Sequence, residues 1–197
     1  MIHDILDVAL TVARALEAIG ADYFIGGSVA SSLQASARST NDVDFVVHLQ
    51  LHHAQALADE LGPDYSVDVD ALREAIRSNW SWNIFHLESG VKIDLMMRQQ
   101  TPYDLAAFAR RRRFKIDVDC EPFLKTAEDS VLKKLQWFRD GGEQSSTQWR
   151  DVIELLRVNR GDLDERYLDS WAVPLRIEDL LAKARLEAAS PGAPGRR

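Results

Sequence analysis

The stretch Gly26-Gly27-Ser28, followed after thirteen residues by Asp42-Val43-Asp44-Phe45-Val46-Val47, is the most informative part of the sequence. Alternation along a strand places residues i and i+2 on one face, about 6.6 Å apart. Asp42 and Asp44 are therefore predicted to share a face, with the apolar residues on the other. Two carboxylates this close repel each other unless a cation lies between them, and a hard ion such as Mg²⁺ prefers oxygen ligands. The pair therefore predicts a metal site.

The glycine pair and Ser28 open a predicted short helix over residues 28–36. Glycines let the backbone approach a ligand closely, and a helix N-terminus offers N–H groups and a positive dipole to phosphate. A phosphate cradle followed by a metal-binding pair predicts a site for a nucleoside triphosphate (NTP), with Gly26, Gly27 and Ser28 as candidate binding residues. Taken alone, Gly-Gly-Ser is more typical of an ordinary turn.

A third carboxylate, Asp94, lies within a predicted strand over residues 91–97. Residues 83–87 and 91–97 predict a hairpin, because Gly90 lies in the connection between them. An aspartate in an otherwise apolar strand is costly to bury unless it is paired. Metal coordination shared with Asp42 and Asp44 would satisfy Asp94. The alternative is a salt bridge to Lys92 on the same face.

This order of motifs resembles the DNA polymerase β-type nucleotidyltransferase superfamily. Within it, Arg38-Ser39-Thr40-Asn41-Asp42-Val43-Asp44 is similar to the Arg-x-Thr-x-Asp-hydrophobic-Asp signature of the AbiEii-like abortive-infection toxins and their relatives. The segment from Glu128 to Leu135 is similar to that group's Glu-Asp-x-x-x-x-Lys-Leu helix, and Arg150-Asp151 resembles its Arg/Lys-Asp pair. The resemblance covers roughly residues 23–156.

The resemblance implies a Mg²⁺-dependent enzyme that transfers NMP from an NTP, such as ATP, to an acceptor hydroxyl. Two Mg²⁺ ions would be held by Asp42 and Asp44, and Asp94 would complete the catalytic set and take the acceptor's proton. The implied nucleotide-binding residues are Gly26, Gly27, Ser28, Arg38, Thr40, Lys134 and Asp151. Without the resemblance, Arg38 and Thr40 fit a structural turn, and Lys134 fits a solvated lysine.

The implied partners are an NTP, an RNA acceptor such as a tRNA end, and a cognate antitoxin. Two other functions stay open. One is a catalytically inactive nucleotide-binding module or antitoxin-type partner; the other is a small-molecule, antibiotic-type adenylyltransferase. A local basic run from Arg98 to Lys115 favours RNA, although its arginines equally fit the end of a helix, where cations complement the dipole.

Composition bounds the class of protein. The chain has 197 residues, 46% of them hydrophobic, which is enough for a core, and its net charge of −7 argues against a broadly basic nucleic-acid coat protein. A single cysteine, Cys120, excludes an internal disulfide and fits the cytoplasm. No segment reaches the roughly 18 consecutive apolar residues of a membrane span, so no membrane partner is expected.

The pattern along the chain predicts an α/β fold: a nucleotidyltransferase core with a mixed sheet over residues 1–125, a helical region over 126–189, and a disordered tail over 190–197. Three details are predicted with it. Asp70 is expected to cap a helix over residues 71–78. His48, His52 and His53 are expected at the surface. Pro174 is expected to separate the last two helices.

Overall fold

The computed structural model describes residues 2–35, 40–116 and 121–190. These residues divide into two compact units. Unit 1 comprises residues 2–30 and 40–125, and unit 2 comprises residues 31–35 and 126–190. The predicted domain bounds stay a prediction, and residues 191–197 of the predicted tail lie outside the described residues.

A mixed sheet is the framework of unit 1. Within the described ranges its seven strands are β1 (Asp22–Ile25), β2 (Asp42–His48), β3 (Tyr65–Ser66), β4 (Ser81–His86), β5 (Lys92–Met97), β6 (Arg112–Arg113) and β7 (Phe123–Leu124). Their order is β3-β4-β5-β2-β1-β7-β6. The β2–β5 and β1–β7 pairs are parallel, and the other neighbours are antiparallel. The predicted mixed sheet and the β4–β5 hairpin are therefore confirmed.

Helices of unit 1 pack against this sheet. The helices that begin in unit 1 are α1 (Ile2–Ala18), α2 (Gly27–Gln34), α3 (His53–Leu61), α4 (Val69–Ser78) and α5 (Pro102–Ala109), with a 3₁₀ turn at Gly62–Asp64. Val43, Phe45 and Val47 of β2 are fully buried, as the alternating pattern predicts. Asp42 and Asp44 alternate with them and stay partly accessible. Strand β2 thus has a buried apolar face and a partly accessible polar face.

Two local predictions in unit 1 are wrong. The cap of α4 is Asp68, whose side chain accepts a hydrogen bond from the Ala71 backbone N–H at 3.0 Å, whereas Asp70 lies in the first turn and pairs with Arg73. Asp68 lies two residues earlier in the chain and provides the cap instead. His53 is only 7% exposed, because its Nδ1 accepts from the Gln50 backbone N–H at 3.1 Å and the ring turns inward.

Unit 2 is helical in its described part. Besides the end of α2, its helices are α6 (Ala127–Asp140), α7 (Ser146–Val158), α8 (Glu165–Leu175) and α9 (Glu178–Ala189). Helix α6 begins after Thr126, whose side chain accepts from the Asp129 backbone N–H at 3.2 Å. Pro174 does not separate the last helices but lies in the final turn of α8; the break comes at Arg176, whose backbone is left-handed at φ 57°.

In the portion of the chain that the structure describes, no helix is long and apolar enough to cross a membrane.

Candidate active site

Three carboxylates lie on the polar face of the sheet. The parallel register of β2 and β5 places Asp44 opposite Asp94 and Asp42 opposite Lys92. Because side chains alternate along both strands, Asp42, Asp44, Lys92 and Asp94 share one face. Sequence analysis predicted the convergence of the three aspartates. The parallel pairing of two strands about fifty residues apart in the chain brings it about.

The carboxylates act on one another electrostatically, and Asp44 is at the centre. Burial raises the pKa of Asp44 above its ordinary value, and the charges of Asp42 and Asp94 raise it further. Lys125 and Lys92 act in the opposite direction. The site is therefore a concentration of negative charge with two cations at its margin, an environment that favours binding of a further cation.

Asp94 already has a partner on its own strand. Lys92 Nζ lies 2.7 Å from Asp94 Oδ2, so the predicted alternative of a salt bridge is present. Within the described ranges, no three His, Cys, Asp or Glu side chains form a group that could hold a metal ion as it stands. The oxygen donors suit Mg²⁺ chemically, but the assignment of Asp42, Asp44 and Asp94 as metal ligands stays a prediction.

The glycine pair is packed against the carboxylates. Gly27 begins α2 with φ at +53°, and a Cβ added there would lie 1.6 Å from Asp44 Oδ2. Only glycine fits, since a side chain would meet both a strained backbone and the carboxylate. The Gly26 N–H donates to the Asp44 backbone carbonyl at 2.8 Å, and Gly26 therefore continues the β1–β2 ladder. Ser28 follows in the first turn of α2.

Thr40 holds the start of β2. Its Oγ1 donates to Asp42 Oδ1 at 2.5 Å and lies 3.3 Å from the Asp42 backbone carbonyl. This contact orients the Asp42 carboxylate, and the nucleotide-binding role of Thr40 stays a prediction. Arg38 lies outside the described residues, so its predicted role is not placed.

Lys134 and Asp151 form a pair inside unit 2. Lys134 Nζ on α6 lies 2.9 Å from Asp151 Oδ2 on α7 and 3.3 Å from Gln148 Oε1. Their side chains are 5% and 12% exposed, which rules out a solvated lysine. The two residues are therefore in contact, whereas their roles in nucleotide binding stay predictions.

Lys125 is a site residue that sequence reasoning missed. It follows β7, its backbone N–H donates to the Ile25 carbonyl at 3.0 Å, and it is 8% exposed. Its Nζ lies 5.6 Å from the centroid of the Phe24 ring, and its charge lowers the pKa of Asp44. No local motif marks this lysine, because the parallel pairing of β7 with β1 is what brings it to the glycine turn.

Part of the basic run is used within unit 1. Arg111 Nη2 lies 2.6 Å from Asp22 Oδ1, and its guanidinium lies 4.7 Å and 5.0 Å from the ring centroids of Phe108 and Phe123. Arg113 Nη1 lies 2.9 Å from Glu17 Oε1. Arg110 follows the last residue of α5, as the helix-end alternative for residues 110–113 predicts, whereas Arg112 and Arg113 form β6. Arg112 and Lys115 are exposed.

Comparison with known proteins supports the fold. No protein-family model matches the chain, and no curated protein sequence matches it significantly. Among solved structures, an antigenic nucleotidyltransferase-like protein from Paracoccidioides brasiliensis is similar, with a TM-score of 0.51 and 20% identity over 93% of each chain. The antibiotic-resistance factor ANT(2'')-Ia is also similar, with a TM-score of 0.54 and 12% identity over 90% of this chain and 95% of that one. The chain therefore has the fold of nucleotidyltransferase-like proteins, as predicted, whereas the AbiEii-like branch stays a prediction.

Proposed function

We propose that the chain is a Mg²⁺-dependent nucleotidyltransferase, which moves NMP from an NTP to an acceptor hydroxyl and releases pyrophosphate. The observation that carries the proposal is the register of β2 and β5, in which Asp44 faces Asp94 with Asp42 on the same face. Gly27 lies against Asp44, so the start of α2 and the carboxylates belong to one site. The shared fold agrees with this activity.

The three aspartates have distinct roles in this proposal. Asp42 and Asp44 would hold Mg²⁺, with Asp94 completing the set. Bound Mg²⁺ would neutralise charge on the phosphates and polarise them. The chain's own part is positioning: Thr40 fixes the Asp42 carboxylate, and Asp94 is the group that accepts the proton of the acceptor hydroxyl at its carboxylate oxygen.

The nucleotide's phosphates would meet the start of α2. Gly27 and Ser28 are the proposed triphosphate-binding residues, through backbone N–H groups and the serine hydroxyl. Gly26 contributes by shaping the turn, since its N–H is engaged with Asp44. Lys125 is a further cation beside Asp44 that suits a phosphate. Lys134, Asp151 and Arg38 are retained as nucleotide-binding candidates from the motif resemblance.

We propose that the acceptor is an RNA end, such as that of a tRNA. The further proposals of a toxin-like role and a neutralising antitoxin partner rest on the motif resemblance. A small-molecule acceptor is the second candidate. This candidate is favoured because Arg111 and Arg113 are paired with Asp22 and Glu17 inside unit 1. Two arginines that could otherwise bind RNA phosphates are therefore already engaged. The antibiotic-resistance factor of the same fold agrees with it.

The test is transfer of label from each of four NTPs labelled at the α-phosphate, with Mg²⁺, into total RNA, into the protein and into antibiotic-type small molecules. We expect labelled product from the wild-type chain and none from Asp44→Ala. Asp162→Ala, which removes an exposed carboxylate in unit 2, is the matched control and should keep full activity.

Label in a tRNA-sized band supports the RNA acceptor, and label in a small molecule supports the second candidate. Transfer that survives in a folded Asp44→Ala protein would disprove the assignment, and absence of transfer with intact NTP binding would favour an inactive binding module.

A further inference from the structure

Lys92 occupies a position on the polar face that the proposed mechanism leaves without a role. It is the first residue of β5, it faces Asp42 across β2, and it precedes Asp94 by two residues on the same face. Its ammonium lies 2.7 Å from Asp94 Oδ2. A cation is therefore built into the carboxylate site by the chain itself.

The position of Lys92 follows from the ladder rather than from one side-chain rotamer. The β2–β5 register fixes its neighbour as Asp42, and strand alternation puts residue 94 beside it. On the other side, the antiparallel register of β4 and β5 places Phe85 opposite Lys92. Phe85 carries no charge and offers the ammonium no acceptor. The charged neighbours of Lys92 in this strand register are therefore the carboxylates.

We propose that Lys92 is a tethered counter-ion, which competes with the divalent cation for Asp94. This inference rests on the proposed function, because it assumes that the carboxylate site takes a divalent ion. The Lys92 ammonium and a divalent ion repel each other and both draw on the charge of the Asp94 carboxylate, so the ion binds more tightly once Lys92 has moved off Asp94. The four-carbon stem and three donors of a lysine allow it to turn to another acceptor afterwards.

Charge balance gives the consequence for binding. Asp42, Asp44 and Asp94 carry three negative charges, and Lys92 and Lys125 return two positive ones to the same site. A divalent ion therefore meets much less net negative charge than three aspartates alone would offer. Without nucleotide, the site should therefore bind divalent ions weakly, and the charge of Lys92 is what lowers this affinity. A bound nucleotide adds the negative charge of its phosphates and should strengthen the binding.

The experiment is a titration of the full chain with Mn²⁺, followed by electron paramagnetic resonance of the free ion, without nucleotide. We expect Lys92→Met to bind Mn²⁺ about tenfold more tightly than the wild type, a difference well within reach of the measurement. Lys92→Arg keeps the charge and should stay near the wild-type affinity. Lys183→Met, which removes an exposed lysine of unit 2, is the matched control and should leave the Mn²⁺ affinity unchanged.

The outcomes separate the two proposals. Unchanged or weaker binding in Lys92→Met would overturn the counter-ion role and leave the metal site standing, provided that Asp44→Ala abolishes the binding of the wild type. Absence of Mn²⁺ binding in both the wild type and Lys92→Met would overturn the metal site and the counter-ion together. Tighter binding in Lys92→Met that Asp44→Ala removes supports both.

Discussion

At the scale of single residues, Asp44 shows how the candidate site is held at a cost to stability. Asp42 lies on the same strand, Asp94 faces it from β5, and the cations near it are Lys92 and Lys125. Burial and the two carboxylates raise the pKa of Asp44 despite both lysines. The ionised Asp44 is therefore less favourable in the folded chain than in the unfolded one.

The sign of the pH dependence follows from that shift. A carboxyl group whose pKa is raised on folding imposes no penalty below its unfolded pKa, near 4, and the full penalty above its folded pKa. We expect Asp44→Asn to be more stable than the wild type at pH 7.5 by about 1 kcal/mol, the size of a solvated like-charge contact. The advantage should shrink as the pH falls towards 4.5.

Urea unfolding in EDTA across this pH range measures the effect. Asp162→Asn, which neutralises an exposed carboxylate away from the cluster, serves as the control and should show no comparable gain. An Asp44→Asn protein that is less stable than the wild type at pH 7.5 would show that hydrogen bonds to the carboxylate, and not charge crowding, dominate at this position.

At the scale of elements, α6 and α7 are joined by the Lys134–Asp151 pair. Both side chains are nearly inaccessible, and the two charged groups lie 2.9 Å apart. Removing one member of a buried ion pair leaves the other charge uncompensated, whereas replacing both by apolar residues is often neutral. The pair therefore allows stability to be separated from function.

We expect Lys134→Met and Asp151→Leu each to lower the free energy of unfolding by about 3 kcal/mol, and the double variant to recover most of that loss. NTP affinity is measured on the same proteins. Weakened binding in the stable double variant would support the nucleotide-binding role of Lys134, and unchanged binding would make the pair structural. A double variant no more stable than the single ones would show that the pair is not an isolated buried contact.

The elements also show which parts of the structure the sequence could predict. Strand alternation in β2 and β5 and the hairpin turn at Gly90 are local patterns, so the faces of Asp42, Asp44 and Asp94 could be predicted. The competition between Asp68 and Asp70 for the cap of α4 could not, because both fit the pattern and hydrogen-bond geometry decides. Lys125 was missed because the pairing of β7 with β1 joins segments about a hundred residues apart.

At the scale of the whole molecule, charge bears on the choice of acceptor. The chain carries a net charge of −7, so an RNA substrate would depend on local cations. The basic run after α5 is the candidate surface, but its members differ in structure. Arg111 is held by Asp22, by the Phe108 carbonyl and by two rings, whereas Arg112 is exposed.

This difference predicts that substitutions of the two neighbouring arginines affect different properties of the protein. Arg111→Ala removes an ion pair and the stacking on Phe108 and Phe123, so we expect it to lower the free energy of unfolding by about 2 kcal/mol. Arg112→Ala should change stability by less than about 0.5 kcal/mol.

If Arg112 contacts an RNA phosphate, Arg112→Ala should weaken the use of RNA as acceptor and reduce the slope of the salt dependence by about one. Urea unfolding and the salt dependence of label transfer into RNA measure both effects. If Arg112→Ala changes neither stability nor RNA use, the exposed end of the basic run does not contact the acceptor. That result would favour a small-molecule acceptor, which needs no such contact.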